Sequence, residues 1–239
     1  MARRRFFVDA IHGGMAELTG SEARRLNRVL RAEVGQRYEI SDSRSTWLAE
    51  IAEARGDRVL FRVLEPVATP DPPLRITLCA ALIKFDRFEW AIEKATELGV
   101  DRILPVETAR SEKGLLEASR KRAERWARIA RESSQQARRA RAPEILPAAR
   151  FANCLGEPAD WRYFLEETTA PPMLQVLPAE RLASARAGLL AGPEGGWTDQ
   201  ERQAAAAAGW LPVSLGPHVL RAETAAAAAV AILMNAWMR

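Results

Sequence analysis

Three features of this 239-residue chain predict an α/β protein in two parts. Short runs of alternating apolar and polar residues extend to residue 67, four prolines fall between residues 66 and 74, and strands then alternate with helices. The first part, residues 1–70, reads as a small β-barrel; the second, residues 71–239, reads as an α/β domain with a mostly parallel sheet.

In the first part FFV (6–8), YEIS (38–41), TWLAEIAEA (46–54) and RVLFRVLE (58–65) have the pattern of strands with one face buried. One helix interrupts them. Ser21 is placed to cap SEARRLNRVLRAEVG (21–35), Leu26, Val29 and Leu30 form its apolar stripe, and Gly35 stops it. Beyond the proline-rich linker, RITLCAALI (75–83) reads as a strand of the buried type.

A helix follows over about 85–98, with Phe85, Phe88, Ile92 and Ala95 on one face and Gly99 as its stop. RILPV (102–106) is the next strand, and a long helix over about 115–141 turns Trp126, Ile129 and Ala130 inward. Strands are expected at WRYFLEE (161–167), AGLLAG (187–192) and WLPVSLG (210–216). Helices follow the last two, over about 198–208 and 221–238; Thr198 with Glu201 forms a capping box at the start of the first.

Composition narrows the functional classes. A hydrophobic content of 48% with 28% charge excludes wholesale disorder, and two isolated cysteines, Cys79 and Cys154, exclude a disulfide scaffold or a Cys-rich zinc site. A reducing cytoplasm is the expected location. The start MARRRFFVDAIHGG is basic, but Asp9 interrupts its apolar residues too early for a secretory signal. The longest uncharged run, 224–238, falls short of the ~20 residues that span a bilayer, so no membrane contact is expected.

The formal charge of +4 is unevenly distributed. Residues 110–141 hold 11 cations, including Arg110, Arg138 and Arg139, against four anions. Smaller clusters sit at Arg3, Arg4 and Arg5 and at Arg24, Arg25, Arg28 and Arg31. Of the 35 cations 31 are arginine, suited to bidentate phosphate contacts, although codon usage also produces such a bias. A single Arg-rich helix face can be merely solvated; two separated patches favour a nucleic-acid partner.

Two strand ends carry further signals. In LLAGPEGGWTDQE (189–201), Gly192, Gly195 and Gly196 permit a close backbone approach where ligands of open α/β sheets bind, or else simply make a tight strand-to-helix turn. The absence of G-x-x-x-x-G-K-[ST] and G-x-G-x-x-G motifs, and of any lysine after residue 121, argues against a nucleoside triphosphatase or an NAD enzyme.

In VSLGPHVLRAETAAAAAVAILMNAW (213–237) a strand turns through an elbow bearing His218, Leu220 and Arg221 into an alanine-rich helix. Glu223 suits a helix N-terminus, whereas Arg221 opposes the dipole there, which points to a bound anion or substrate or to an ion pair with Glu194 or Glu223. There is no Ser/His/Asp set, catalytic carboxylate pair or metal-ligand spacing, so no metal is expected.

Taken in order, KATELG (94–99), RWARIARESSQQARRARAPEI (125–145), GPEGG (192–196) and LGPHVLRAETA (215–225) resemble the SPOUT (α/β-knot) RNA methyltransferases. Within that superfamily they resemble the RsmE-type 16S ribosomal RNA uridine-N3 methyltransferases. RRRFFV (3–8), RRLNRVLR (24–31) and VGQRYEISD (34–42) match as well.

The resemblance implies a PUA-like β-barrel that places RNA, followed by a trefoil-knotted domain that binds S-adenosylmethionine and forms a homodimer, with 16S RNA of the small ribosomal subunit as substrate. Three loops would hold the cofactor: the one after strand 161–167, the GPEGG loop and the loop over 215–225. Mapped residue by residue, contacts fall on Leu190, Gly192, Glu194, Gly195, Gly196, Leu215, Gly216, Leu220 and Thr224. Arg221 would stabilise the developing uracil anion, with Glu223, Glu194 or a water taking the N3 proton.

Arg3, Arg4, Arg5, Arg24, Arg25, Arg28, Arg31, Arg110, Arg138 and Arg139 are the expected RNA contacts. Two positions depart from the family pattern. Ala109-Arg110-Ser111 stands where many members have Glu-Arg-Ser, and Arg24-Arg25 where a histidine is common. The rival readings are a non-catalytic RNA-binding protein and a SPOUT enzyme acting on transfer RNA or another ribosomal position.

Overall fold

The computed structural model describes residues 5–183 and 185–238; Arg3 and Arg4 lie outside the described residues. The chain divides into two compact units, Met1–Pro70 with Ser134–Ala142, and Asp71–Ser133 with Pro143–Arg239. Residues 134–142, read from the sequence as part of the second domain, therefore pack with the first unit.

The first unit is built on a six-stranded sheet. Its strands are β1 (Arg5–Phe7), β2 (Ile11–His12), β3 (Met15–Thr19), β4 (Arg37–Ser41), β5 (Thr46–Arg55) and β6 (Arg58–Val67), in the order β1-β4-β5-β6-β3-β2. Only β1 and β4 run parallel; the remaining pairs are antiparallel. Alternation places Ala16, Leu18, Ile40, Ile51, Val59 and Phe61 in the core.

Helix α1 (Gly20–Arg28) buries Ala23 and Leu26 against this sheet. It is shorter than the sequence predicts. Thr19 occupies the N-cap position instead of Ser21, and the expected stripe gives out at Val29, which like Val34 is 69% exposed. Leu30 still packs against the core from beyond the helix end, so a further helical turn would gain little burial.

Segment 134–142 is fastened to this unit by polar contacts. Arg5 Nε and Nη2 both donate to Glu39 Oε2, at 3.2 and 2.8 Å, and Arg5 Nη1 donates to the Arg138 carbonyl at 2.6 Å. Arg138 Nη2 donates to Glu39 Oε1 at 2.5 Å, and Ser41 Oγ donates to the Ala140 carbonyl at 2.7 Å. Arg5 is only 5% exposed, which corrects its expected role as an RNA contact: its charge is consumed by the buried pair with Glu39.

The second unit is organised on a seven-stranded sheet, ordered β10-β8-β7-β12-β11-β13 with β9 also paired to β8. Its strands are β7 (Leu74–Ala81), β8 (Arg102–Glu107), β9 (Glu144–Ile145), β10 (Ala149–Arg150), β11 (Trp161–Leu165), β12 (Ala185–Ala191) and β13 (Leu211–Val213). Every described pair in it is parallel. Central β7 and β12 are covered on both faces, which is why their sequences are nearly continuous apolar runs.

Helices α2 (Phe85–Glu97), α3 (Leu115–Ser119), α4 (Ala123–Gln136), α5 (Phe151–Cys154), α6 (Asp199–Ala207) and α7 (Ala222–Trp237) complete the fold. Phe88, Ile92 and Ala95 of α2 join Trp126 and Ala130 of α4 in the core, where the Phe85 and Phe88 rings lie 5.7 and 4.8 Å from Trp126. Gly99, at φ +106°, ends α2 as expected.

The single helix expected over 115–141 is corrected to α3, a 3₁₀ turn at Arg120–Arg122, and α4. It stops at Gln136 because Arg138 takes the left-handed conformation, φ +55°. Arg139 N–H then returns to the Ser134 carbonyl at 2.9 Å and Arg138 N–H to the Gln135 carbonyl at 3.3 Å, a Schellman ending without a glycine to announce it.

Candidate active site

Strands β12, β11 and β13 are neighbours and parallel, so the loops following them emerge at one edge of the sheet, where open α/β sheets bind ligands. They surround a cavity that is open to solvent on one side. Leu165, Glu166 and Glu167 come from the first loop, Gly192, Pro193, Glu194, Gly196 and Trp197 from the second. The third contributes Ser214, Leu215, Gly216, His218, Val219 and Leu220, and α7 adds Ala222 and Ala225.

The glycine loop is shaped by its surroundings. Trp197, 2% exposed, donates from Nε1 to the Leu165 carbonyl at 2.8 Å and so ties the second loop to the end of β11. A Cβ on Gly192 would come within 2.9 Å of the Trp197 ring, so the close approach of backbone to indole requires glycine here. Gly196 has φ +69°, a conformation a side chain resists, and a Cβ there would collide with the Glu167 carboxylate.

After this turn, Thr198 Oγ1 accepts from Glu201 N–H at 3.3 Å and Thr198 N–H donates to Glu201 Oε2 at 2.9 Å; this is the predicted capping box. The other oxygen of Glu201 accepts the Ala109 N–H at 2.8 Å.

Charge around the cavity is mostly paired. Glu166 receives Arg202 Nε at 2.6 Å and Nη2 at 3.2 Å, together with the backbone N–H groups of Glu167 and Thr168. Burial would raise its pKa, but the hydrogen bonds from Arg202 and the backbone prevail and hold it below the ordinary carboxylate range. Glu194 is ion-paired with Arg87 of α2. Glu167 is exposed at the cavity edge.

Of the residues expected to hold a cofactor, Gly192, Glu194, Gly196, Leu215, Gly216 and Leu220 line the cavity. Three do not. Leu190 is fully buried within β12 in a cluster with Cys79, Phe164 and Trp197, where it supports the strand. Gly195 lies in the turn with its carbonyl directed at Arg110, and Thr224 is exposed on the first turn of α7 while Ala222 and Ala225 face the cavity.

Arg221 is the exposed N-cap residue of α7 and forms neither of the ion pairs weighed from the sequence: among the described residues no salt bridge involves it. Glu223, 8% exposed, has an Oε2 buried without a hydrogen-bond partner among the described residues.

Sequence reasoning missed Glu166, Trp197, Ser214 and Val219 in the lining, and Arg87 as the partner of Glu194. The uninterrupted WRYFLEE run hides the end of β11 at Leu165, and nothing in the spacing links Arg87 to Glu194.

The cationic residues divide by environment. Arg24, Arg25, Arg28 and Arg31 are exposed in the first unit, Arg24 with a 3.8 Å pair to Asp57. In the second unit Arg125 binds Glu89 twice, at 2.7 and 2.8 Å, and Arg122 sits 5.0 Å over the Phe85 ring, so both serve helix packing. Arg120, Lys121 and Arg128 remain exposed.

Residues 70–234 match the model of a family described as the RNA methyltransferase domain. Over 90% of its length the chain is 35% identical to the ribosomal RNA small subunit methyltransferase E of Synechocystis, covering 71% of that protein. It is 33% identical over 97% of its length to the Mycobacterium bovis protein of the same name, covering 92% of it. It also aligns, with a TM-score of 0.88 and 28% identity, to the crystal structure of a ribosomal RNA small subunit methyltransferase E from Neisseria gonorrhoeae bound to S-adenosyl methionine, covering 99% of this chain and 98% of that one.

Proposed function

Because this chain belongs to the RNA methyltransferase family, which its match over residues 70–234 shows, we propose that it methylates N3 of a specific uridine in 16S RNA of the small ribosomal subunit. S-adenosylmethionine is the methyl donor. The observation that carries this reading is the convergence of three post-strand loops on one cavity, in a fold shared with a relative solved with that cofactor.

The cavity suits such a ligand. Leu165, Trp197, Leu215, Val219 and Leu220 offer apolar walls for an adenine, Gly192, Gly196 and Gly216 bring backbone to the cavity wall, and Glu167 supplies negative charge toward a cation. When bound, the cofactor supplies an electrophilic methyl group on a positively charged sulfur.

The protein's residues then manage the uracil. Arg221, exposed and without a salt bridge among the described residues, stabilises negative charge developing on uracil O2 or O4. Glu223 is the better proton acceptor of the two carboxylates, since Glu194 is committed to Arg87 while Glu223 Oε2 has no hydrogen-bond partner among the described residues. Exposed Arg24, Arg25, Arg28 and Arg31 in the first unit supply phosphate contacts.

The same resemblance supports reading the first unit as a PUA-like barrel and the second as a trefoil-knotted SPOUT domain that works as a homodimer in the cytoplasm. The test is methyl transfer from labelled S-adenosylmethionine to small ribosomal subunits lacking the modification, followed by nucleoside mass spectrometry. Appearance of 3-methyluridine at one 16S position is expected; methylation of another atom or RNA, or none at all, overturns the assignment.

A further inference from the structure

We propose that Arg110 is a positioning residue of the glycine loop: it fixes the Gly195–Gly196 peptide from outside the cavity and so sets the loop's backbone groups for S-adenosylmethionine, instead of holding an RNA phosphate. This rests on the cofactor assignment above. Arg110 Nη1 donates to the Gly195 carbonyl at 2.5 Å. A Cβ built on Gly195 would meet Arg110 Cβ and Cδ at 3.4 Å, so the whole side chain lies along the turn.

The need for such a clamp follows from the sequence. Gly195 and Gly196 are consecutive residues without a Cβ, and the peptide between them has wide rotational freedom unless both its polar groups are held. Its N–H donates to the Pro193 carbonyl at 3.0 Å, closing the turn, and its carbonyl accepts from Arg110.

Arg110 is itself held before any ligand binds. Thr108 N–H donates to Ser111 Oγ at 3.1 Å and Ser111 N–H to the Thr108 carbonyl at 3.2 Å, closing a tight turn around it. The adjacent Ala109 N–H is fixed by Glu201, the buried capping residue of α6. The start of α6 thus anchors the loop after β8, and that loop carries Arg110 to the glycine turn.

The experiment compares the wild-type protein with R110A and R110K. It measures S-adenosylmethionine binding by calorimetry, amide exchange of residues 192–197 without ligand, steady-state kinetics, and the salt dependence of RNA binding. R110A is expected to raise Kd and KM for S-adenosylmethionine about tenfold, the scale of a lost charged hydrogen bond, with kcat at saturating cofactor little changed. Exchange over 192–197 accelerates, the salt slope stays constant, and R110K restores part of the affinity because an ammonium can donate to the same carbonyl.

An unchanged cofactor Kd in R110A, or, should R110A not fold, in R110M, which keeps the length of the side chain along the turn but carries no donor, overturns the proposal. So does a salt slope lowered by about one unit, the signature of a lost phosphate contact. Failure of the wild-type protein to bind S-adenosylmethionine overturns instead the cofactor assignment on which it rests.

Discussion

At Arg221 the chain leaves an extended loop, with ψ 150°, and enters α7, so a cation stands where the helix dipole is positive. No salt bridge involves it among the described residues, in keeping with the role proposed for it against negative charge developing in the substrate. Arg221→Ala is expected to lower kcat about a hundredfold while leaving cofactor Kd within twofold, read from single-turnover kinetics and calorimetry.

Gly192 and Gly195 separate two roles of glycine in one motif. Trp197 cannot retreat from a Cβ on residue 192, because the indole is buried and hydrogen-bonded to Leu165. Gly192→Ala is therefore expected to cost about 1–3 kcal/mol of stability and to deform the cavity, whereas Gly195→Ala meets Arg110 at 3.4 Å, close to ordinary contact, and costs far less. Paired denaturant titrations distinguish them. The sequence marked both glycines alike; which one faces an indole is a property of the folded loop alone.

Among the secondary-structure elements, the ends of β11 and α6 are joined by Glu166 and Arg202. The folded state depresses the Glu166 pKa, so it binds that proton less tightly than the unfolded chain does. The contribution to stability is complete above the ordinary carboxylate range and disappears as pH falls through the depressed value. Glu166→Gln is expected to lose about 2 kcal/mol near neutral pH and to flatten the acid limb of the stability profile, checked by urea titrations across pH.

Legibility also differed by element. Strand β7 and helices α2, α6 and α7 could be read closely from apolar runs, Gly99 and the Thr198 box, because local chemistry specifies them. Strand β3 alternates buried Ala16 and Leu18 with exposed Glu17 and Thr19, yet its five residues were passed over. The end of α4 was hidden, since an arginine adopts the left-handed turn that a glycine normally marks.

For the whole molecule, the expected charge footprint becomes selective. Arg5 is internal, Arg122 and Arg125 pack against α2, and Arg24, Arg25, Arg28 and Arg31 remain exposed. Replacing Arg25, Arg28 and Arg31 together by alanine is expected to reduce the slope of log K against log salt for RNA binding by about two to three units, measured by titration at several salt concentrations. A constant slope would identify these arginines as a solvated surface.

The amino-acid sequence by itself determined the two-part α/β organisation, most elements, the family and the three loops that form the cavity. Those depend on residues near one another in the chain: periodicity, caps, and motifs kept in order. Tertiary structure alone decided that residues 134–142 close the first unit, that Arg110 donates to the Gly195 carbonyl, and that Arg87 takes Glu194. Each of these joins residues far apart in sequence, and strand order and the packing of loops, which composition and periodicity do not encode, bring them within hydrogen-bonding reach.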